Sequence, residues 1–315
     1  MAVALITHPA CLGHDPGPFH PERPARLESV LKALDAEEFR SLRREAAPLA
    51  GHEDLRRLHP DRYLEAILAI APEPGEYRAL DPDTAMSAGS VEAALRAAGG
   101  AIAGVDAVME GRVRASFVAV RPPGHHAEPA RAMGFCLFNN VAIAALHARA
   151  RWGLKRIAIV DFDVHHGNGT EAACLADPDL FYGSSHQSPC YPGTGLAAKR
   201  GIAGNVVNAP LPPGTGSRIF RQAWQSRLLP ELDRFAPELL LISAGFDGHE
   251  ADPLAEFRLH EEDFTWLTGE LMHLAEVHAS ARVVSVLEGG YDLTALATST
   301  AAHVRRLMQP DRQHP

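Results

Sequence analysis

The sequence predicts an α/β fold: one domain over residues 1–315, with a mostly parallel central β-sheet of about eight strands and helices on both faces. Short apolar runs rich in β-branched residues alternate with longer helix-like stretches, as in parallel strands joined by crossover helices. No repeat, low-complexity tract or linker interrupts this alternation. Four of the apolar runs end in polar residues, which predicts a functional site at the carboxyl ends of the strands.

The individual elements follow from this pattern. Helix N-caps are available at Ser87 or Ser90 before the first helix, and at Asp292 or Thr294 before the last. Pro/Gly-rich patches at 13–24, 72–75, 187–195 and 209–216 predict loops that rim the site. Strands are predicted at 2–7, 116–121, 156–161, 179–184, 204–208, 238–244 and 282–287, and helices at 87–110, 138–151, 217–235, 260–279 and 293–308.

Composition excludes several classes of protein. With 46% hydrophobic and 22% charged residues, the chain has the make-up of a globular enzyme rather than a disordered or fibrous protein. The formal net charge of −9 and the lack of a basic run argue against a nucleic-acid partner. No apolar segment reaches the length of a membrane span and no leader-like pattern begins the chain, so we expect no membrane partner and a cytoplasmic location. The four cysteines lack Cys-x-x-Cys spacing and are expected as reduced thiols.

The most informative segment is Arg156-Ile-Ala-Ile-Val-Asp-Phe-Asp-Val-His-His-Gly-Asn-Gly169. Its apolar run predicts a buried strand that delivers Asp161, Asp163 and His165 to one end. Side chains alternate along an extended segment, so these three point the same way. We therefore expect Asp163 and His165 to bind a divalent metal, because buried carboxylates and imidazoles are costly to desolvate without a metal or a catalytic role. The alternative is an acidic loop that follows a core strand.

Three further strand ends carry residues of the same kind. The run that begins at Ser116 leads to His125 and His126, and the run that begins at Glu238 ends in Asp247. The run 283–287 leads through Glu288 and two glycines to Tyr291, where the backbone is free to aim a phenol. Together the four strand ends carry the residue types of a single hydrolytic site.

At this point the chain resembles the histone deacetylase superfamily, which includes bacterial acetylpolyamine amidohydrolases and histone-deacetylase-like amidohydrolases. Asn168 and the Gly-Phe-Asp variant resemble class II members. The resemblance implies an arginase/deacetylase-like fold over nearly the whole chain. The motifs that carry it are His20-Pro-Glu-Arg-Pro-Ala-Arg26-Leu, Arg121-Pro-Pro-Gly-His-His126, Gly134-Phe-Cys-Leu-Phe-Asn-Asn140, Asp161-Phe-Asp-Val-His-His-Gly-Asn-Gly169, Tyr191-Pro-Gly-Thr-Gly195, Ser243-Ala-Gly-Phe-Asp247 and Glu288-Gly-Gly-Tyr291.

The resemblance implies one zinc ion held by Asp163, His165 and Asp247, with open positions for water and the substrate carbonyl. It also implies a buried potassium ion that offsets the carboxylate charge. The residues that match this potassium site are Asp161, Asp163, His165, Ser184 and Ser185. For Ser184, a hydroxyl that only satisfies backbone groups is an equally good reading from the residues alone.

The resemblance also implies the catalytic groups. His125 and His126 form a tandem pair of acid/base imidazoles, and Asp161 hydrogen-bonds His125 and raises its basicity. Asn168 stands where many relatives have an Asp, so His126 is expected to be less basic and to act as the general base. Because coupled imidazoles titrate as a pair, assignment of the base to one of them stays open. Tyr291 is expected to stabilise the oxyanion of the tetrahedral intermediate.

A substrate tunnel follows from the same resemblance. Phe135 and Tyr191 match its aromatic walls, and Gly134 is expected to accept the substrate amide N–H. Leu254 matches the position where polyamine-preferring eukaryotic relatives carry a Glu, so it favours acyl-lysine side chains over acetylated polyamines. Arg26 matches a residue of the cavity below the zinc, whereas the residue type alone would place it at the surface.

Three alternatives remain at this stage. The substrate is an acetylated lysine side chain or, alternatively, a small acetylated amine, and a homo-oligomer could complete a channel to it. A zinc-containing binding protein with little activity is disfavoured by the intact ligands, both imidazoles and Tyr291. The arginase branch binds two manganese ions through other Asp patterns, so Asp-x-Asp-x-His-His favours one zinc.

Overall fold

The structure, a computed structural model, describes residues 2–309. Eight parallel strands form the central sheet in the order β2-β1-β5-β10-β9-β6-β7-β8, and β3 and β4 form a separate antiparallel hairpin. The strands are β1 (Val3–Thr7), β2 (Arg43–Ala46), β3 (Arg78–Asp81), β4 (Thr84–Met86), β5 (Ala115–Val118), β6 (Ile157–Asp161), β7 (Leu180–Gln187), β8 (Val206–Leu211), β9 (Leu239–Ala244) and β10 (Val283–Leu287).

The helices connect these strands. A π-helical turn, Trp224–Leu228, joins α7 (Ser217–Ala223) to α8 (Leu229–Phe235), so one long irregular helix spans 217–235. The helices are α1 (Pro24–Ala33), α2 (His52–Leu55), α3 (Asp61–Leu68), α4 (Ser90–Met109), α5 (Asn140–Trp152), α6 (Asn168–Cys174), α7 (Ser217–Ala223), α8 (Leu229–Phe235), α9 (Glu261–His278) and α10 (Leu293–Met308).

Helices cover both faces of the sheet. On one face α4 packs so closely that a Cβ at Gly104 would lie 2.9 Å from Val284 Cγ1. On the other face His303 of α10 hydrogen-bonds Ser285 Oγ of β10 at 2.8 Å. Val284 and Ser285 are consecutive and therefore point to opposite faces, which places α4 and α10 on opposite sides. This double burial explains why the central strands are almost uniformly apolar.

The single α/β domain with a parallel eight-stranded sheet confirms the predicted fold class. Each of the seven predicted strands is present, and α10 has the predicted bounds. Asp292 caps α10 by accepting from the N–H groups of Thr294 and Ala295. By contrast, α4 begins at Ser90 after Gly89, and the Ser90 hydroxyl accepts from Ser87 N instead of capping.

Among the described residues, no helix is both long enough and apolar enough to cross a membrane. Within the same range the cysteines are free thiols, of which Cys11, Cys136 and Cys174 are buried.

Candidate active site

The four polar strand ends meet at one edge of the sheet. Strands β5, β10, β9 and β6 are neighbours and run parallel, so their carboxyl ends lie side by side. His125, Asp161, Asp247 and Glu288 follow or end these strands, and all four side chains are buried. Topology alone therefore gathers residues from 125 to 291 into one site.

Asp163, His165 and Asp247 form a group whose ligand atoms all lie within 4.8 Å of one another. Nδ1 of His165 lies 3.2 Å from Asp163 Oδ1 and 3.1 Å from Asp247 Oδ2. Two carboxylates and one imidazole make a donor set that zinc accepts at catalytic sites, where three protein ligands leave a position open. The residues present therefore fit the zinc that the sequence predicts.

The opposite oxygens of the two carboxylates are held by backbone groups. Asp163 Oδ2 accepts from Gly289 N at 2.8 Å, and Asp247 Oδ1 accepts from Val164 N at 2.9 Å. The backbone can come this close to the carboxylates only at glycines. A Cβ at Gly245 would lie 2.0 Å from an oxygen of Asp163, and a Cβ at Gly289 would lie 2.0 Å from an oxygen of Asp247. The backbone thus forms a cradle that fixes both carboxylates.

Electrostatics also favour a cation at this position. Burial, together with the negative charge of Asp163, raises the pKa of Asp247 to about 7. Two buried carboxylates this close repel each other, and a divalent cation between them removes that repulsion. A bound metal ion would therefore stabilise the state in which both carboxylates are ionised.

A second group of potential ligands, His249, His260 and Glu261, lies nearer the surface. Here Nδ1 of His249 accepts from Ala251 N at 3.1 Å, and the imidazole of His260 accepts from the N–H of Asp263. A neutral imidazole has only one lone-pair nitrogen, so both rings already use theirs. The geometry favours the Asp163 group as the metal site.

His125 and Asp161 form a buried pair, with Nδ1 of His125 3.0 Å from Asp161 Oδ2. Burial alone would lower the pKa of His125, but the carboxylates of Asp163 and Asp161 outweigh it and raise the pKa to about 10. The hydroxyl of Tyr182 donates to the same oxygen of Asp161 at 3.1 Å. The predicted contact between His125 and Asp161 is therefore present.

His126 lies against His125, with ring centroids 4.0 Å apart, and its Nδ1 is 2.9 Å from Asn168 Oδ1. Burial and the positive charges of His125 and His165 lower its pKa well below the usual value. The pKa of His126 therefore lies below that of His125, which is the direction expected from the sequence.

Tyr291 is buried above Arg26, whose guanidinium carbon is 4.8 Å from the ring centroid. The Arg26 guanidinium donates to the carbonyl oxygens of Gly290 at 2.5 Å and Glu288 at 2.6 Å, so it holds the backbone that carries Tyr291. It is fully buried and pairs with the buried carboxylate of Glu22 at 3.1 Å. Arg26 is therefore a buried residue beneath the site and not a surface charge.

A tunnel with a volume of about 220 Å³ leads to these groups. Its lining includes Gly134, Phe135, Tyr191 and Leu254, the four residues assigned to it from the sequence. The patch 187–195 contributes Tyr191, and His20 of the patch 13–24 packs edge-on against Phe135. None of the lining residues belongs to 72–75 or 209–216. The lining consists of Asp83, His126, Gly134, Phe135, His165, Tyr191, Leu254 and Tyr291.

Sequence reasoning missed two carboxylates beside the tunnel. Asp83 lines it and accepts from Gly134 N at 3.1 Å, while Asp252 accepts from Tyr291 N at 2.7 Å. Each lies in a short loop with another acid two residues before it, a pattern that also describes solvated surface. Only the tertiary structure reveals their position.

The two serines assigned to potassium make hydrogen bonds within the protein. Ser184 Oγ lies 2.9 Å from His186 Nδ1, and Ser185 Oγ accepts from Trp224 Nε1 at 3.0 Å. Ser184 pairs with Asp161 in the ladder between β7 and β6. Potassium binding stays a prediction.

Comparisons with known proteins agree with this geometry. The Histone deacetylase domain matches residues 20–307. An uncharacterized protein of Synechocystis sp. is 43% identical over 97% of this chain and 99% of its own length. The histone deacetylase-like amidohydrolase of Pseudomonas aeruginosa is 42% identical over 91% of this chain and 74% of its own length.

A solved structure also matches, the HDA15 HD domain, with a TM-score of 0.90 and 32% identity over 98% of this chain and 89% of that one. Its likeness extends over the whole sheet and its flanking helices. Sequence and structure both place this chain in the histone deacetylase family, as a hydrolase that acts on amide bonds.

Proposed function

We propose that this protein is a zinc-dependent deacetylase that hydrolyses the acetyl amide of N-ε-acetyl-lysine side chains to a free amine and acetate. The observation that carries the proposal is the tunnel, which leads to Asp163, His165 and Asp247 and is lined near them by His126 and Tyr291. An amide carried on a long thin stem can reach such a site, whereas a bulky substrate cannot.

Asp163, His165 and Asp247 are the proposed zinc ligands. When bound, zinc supplies Lewis-acid polarisation of the amide carbonyl and a water activated near neutral pH. The cradle around the two carboxylates positions both before any metal arrives.

His126 is the proposed general base. Its Nδ1 faces Asn168, so Nε2 is the nitrogen left to take the proton from the attacking water. Its low pKa keeps it neutral at physiological pH, and a base must be unprotonated to act.

His125 is the proposed proton donor to the leaving amine. Its Nδ1 is bound to Asp161, and its pKa near 10 keeps the ring protonated at neutral pH. Asp161 orients the ring and stabilises its charge. Tyr291 completes the set by donating its hydroxyl to the carbonyl oxygen as negative charge develops there.

The tunnel lining supports an acyl-lysine substrate. Phe135, Tyr191 and Leu254 present apolar surface to the four-carbon stem. Gly134 is the proposed acceptor for the substrate amide N–H. Leu254 is 37% exposed at the tunnel and offers no charge to the ammonium of a polyamine at that position. The carboxylate in the lining, Asp83, already accepts from the backbone N–H of Gly134.

We further propose potassium at Asp161, Asp163, His165, Ser184 and Ser185, where a cation would offset the buried carboxylates. A cytoplasmic location is supported by the buried free thiols, which persist in reducing compartments. A homo-oligomer stays a prediction.

The test is a turnover panel with the zinc-loaded protein. Acetyl-lysine peptides should give a kcat/KM at least about tenfold above that of acetylputrescine or acetylspermidine. The opposite ranking would assign the small acetylated amines as substrates. No turnover of either class, with zinc bound at one ion per chain, would contradict the proposed activity.

A further inference from the structure

Asn168 lies between an imidazole and a carboxylate. Its Oδ1 is 2.9 Å from His126 Nδ1, and its Nδ2 donates to Glu128 Oε1 at 2.8 Å. The same nitrogen lies 3.3 Å from Met133 Sδ and 3.4 Å from the carbonyl oxygen of His126. Every neighbour of Nδ2 is an acceptor, so the amide has one preferred orientation.

The orientation of the amide decides where the proton of His126 sits. A carboxylate only accepts hydrogen bonds, so Glu128 must face the NH₂ group and the oxygen must face His126. Nδ1 of His126 then carries the proton and donates it to Asn168, which leaves Nε2 with the lone pair. With the amide turned over, its NH₂ would face Nδ1 and the proton would move to Nε2, where a base cannot use it.

The backbone that carries Glu128 is fixed on both sides of the residue. Its backbone N–H donates to Arg131 O at 3.0 Å, and Arg131 N donates back to Glu128 O at 3.3 Å, which closes a tight turn. The next residue, Pro129, has its carbonyl 2.9 Å from Nδ1 of the buried His59. Glu128 is half-buried and does not line the tunnel.

We propose that Glu128 is a positioning residue that keeps the His126 proton on Nδ1 by fixing the orientation of the Asn168 amide. The inference rests on the proposed function, in which His126 Nε2 accepts a proton. Glu128 touches neither the substrate nor the metal ligands. It selects one of two tautomers of the base.

The first experiment compares substitutions of Glu128 in the zinc-loaded full chain with an acetyl-lysine peptide as substrate. Glu128→Ala removes the acceptor and should lower kcat about 10- to 100-fold with little change in KM. Glu128→Gln keeps an acceptor oxygen and should recover most of kcat. Glu65→Ala, an exposed glutamate in α3, is the matched control. Wild-type kcat in Glu128→Ala would overturn the proposal.

The second experiment separates this role from a structural one by reversing the sign of an effect. Asn168→Asp places a second carboxylate against Glu128, so the two repel. In that background Glu128→Lys should raise kcat, because an ammonium satisfies the new carboxylate. In the wild-type background the same substitution should lower kcat, because an ammonium cannot accept from the amide. Effects of equal sign in both backgrounds would overturn the proposal.

The third experiment does not depend on activity. Protein labelled with ¹⁵N-histidine and loaded with zinc should show His126 protonated at Nδ1, and Glu128→Ala should shift a measurable fraction to the Nε2 proton. An unchanged His126 signal would overturn the role of Glu128. If the wild type deacetylates the peptide and the His126 signal does not change in Glu128→Ala, only the role of Glu128 is contradicted. If the signal shifts as expected but the wild type has no deacetylase activity, the proposed function is contradicted instead.

Discussion

The carboxylate of Asp252 joins two walls of the tunnel: Oδ2 accepts from the backbone N–H of Tyr291 at 2.7 Å, while Oδ1 accepts from Leu254 N at 3.0 Å. Asp252 is buried and lies outside the metal-ligand group. Asp252 therefore ties the proposed oxyanion donor to the tunnel wall, in addition to the hold of Arg26 on the preceding backbone.

Asp252→Ala should lower kcat about tenfold or more without loss of zinc, because the backbone N–H of Tyr291 loses its acceptor while the ligands stay in place. The free energy of unfolding should fall by about 1–3 kcal/mol, since the buried N–H of Tyr291 and the part-buried N–H of Leu254 lose their acceptor. Steady-state kinetics, metal analysis and denaturant unfolding measure these effects. Asp252→Asn keeps one acceptor oxygen, so its kcat and its free energy of unfolding should lie between those of the wild type and Asp252→Ala. Loss of zinc in Asp252→Ala would contradict the assignment of its role.

Tyr291→Phe keeps the ring above Arg26 and removes only the hydroxyl. If that hydroxyl stabilises the oxyanion, kcat should fall by about 10²–10³ while KM changes less. Zinc content should be unchanged, because the phenol is not among the proposed ligands. The exposed Tyr77 provides the control, Tyr77→Phe. A near-normal kcat in Tyr291→Phe would mean that another donor faces the carbonyl.

Gly289→Ala should weaken zinc binding, although position 289 contributes no ligand. Its Cβ would lie 2.0 Å from Asp247 Oδ2 and 2.5 Å from Asp163 Oδ2, so both carboxylates must move. A competition titration against a metal chelator measures the affinity, which should drop at least about tenfold. Gly216→Ala is the control, because its nearest atom would be 3.7 Å away. Equal zinc affinities for Gly289→Ala and Gly216→Ala would show that the backbone cradle does not contribute to metal binding.

Stability should decline in mild acid because of buried neutral histidines. Burial lowers the pKa of His303 to about 3, and burial, partly offset by the Pro129 carbonyl, lowers that of His59 to about 4. The unfolded chain binds these protons near pH 6.5, before the folded protein does. Stability is therefore complete above about pH 6.5 and falls on acidification by roughly 1.4 kcal/mol per pH unit for each residue.

The substitution His303→Gln tests whether His303 causes the predicted loss of stability on acidification. Between about pH 6.5 and 5 its free energy of unfolding should depend less on pH than that of the wild type, even though it is lower at neutral pH. The control is the same substitution at a half-exposed histidine, His52→Gln. Parallel curves for wild type and His303→Gln would show that His303 is not the titrating group.

The sequence predicts the sheet and the site edge well, because the central strands are buried on both faces and read as apolar runs. It misses β2, whose residues Arg43–Ala46 are charged and mostly exposed; this strand depends on backbone pairing with β1. It also misses the short helices α1, α2, α3 and α6 and the strands β3 and β4, because elements of so few residues repeat their pattern too few times to be recognised. Elements defined by burial are predictable, whereas elements defined by a neighbour's backbone are not.

The same distinction applies to the site. The clustering of Asp163, His165 and Asp247 is predictable because each of them lies just beyond the carboxyl end of a central strand. Glu128 and Asp252 act through hydrogen bonds to residues 40 and 39 positions away, and nothing local marks them. From the residue type alone Arg26 is expected at the surface, and only the structure shows that it is paired with Glu22 in the interior.

The bonds from Val164 N to Asp247 and from Gly289 N to Asp163 have a consequence for the metal-free protein. They fix both carboxylates through the backbone, so the two acids cannot move apart, and the pKa of Asp247 near 7 means that a proton relieves their repulsion when no cation does. Protons and a metal ion therefore compete for the same oxygens, and we expect the affinity of the site for a dication to rise with pH.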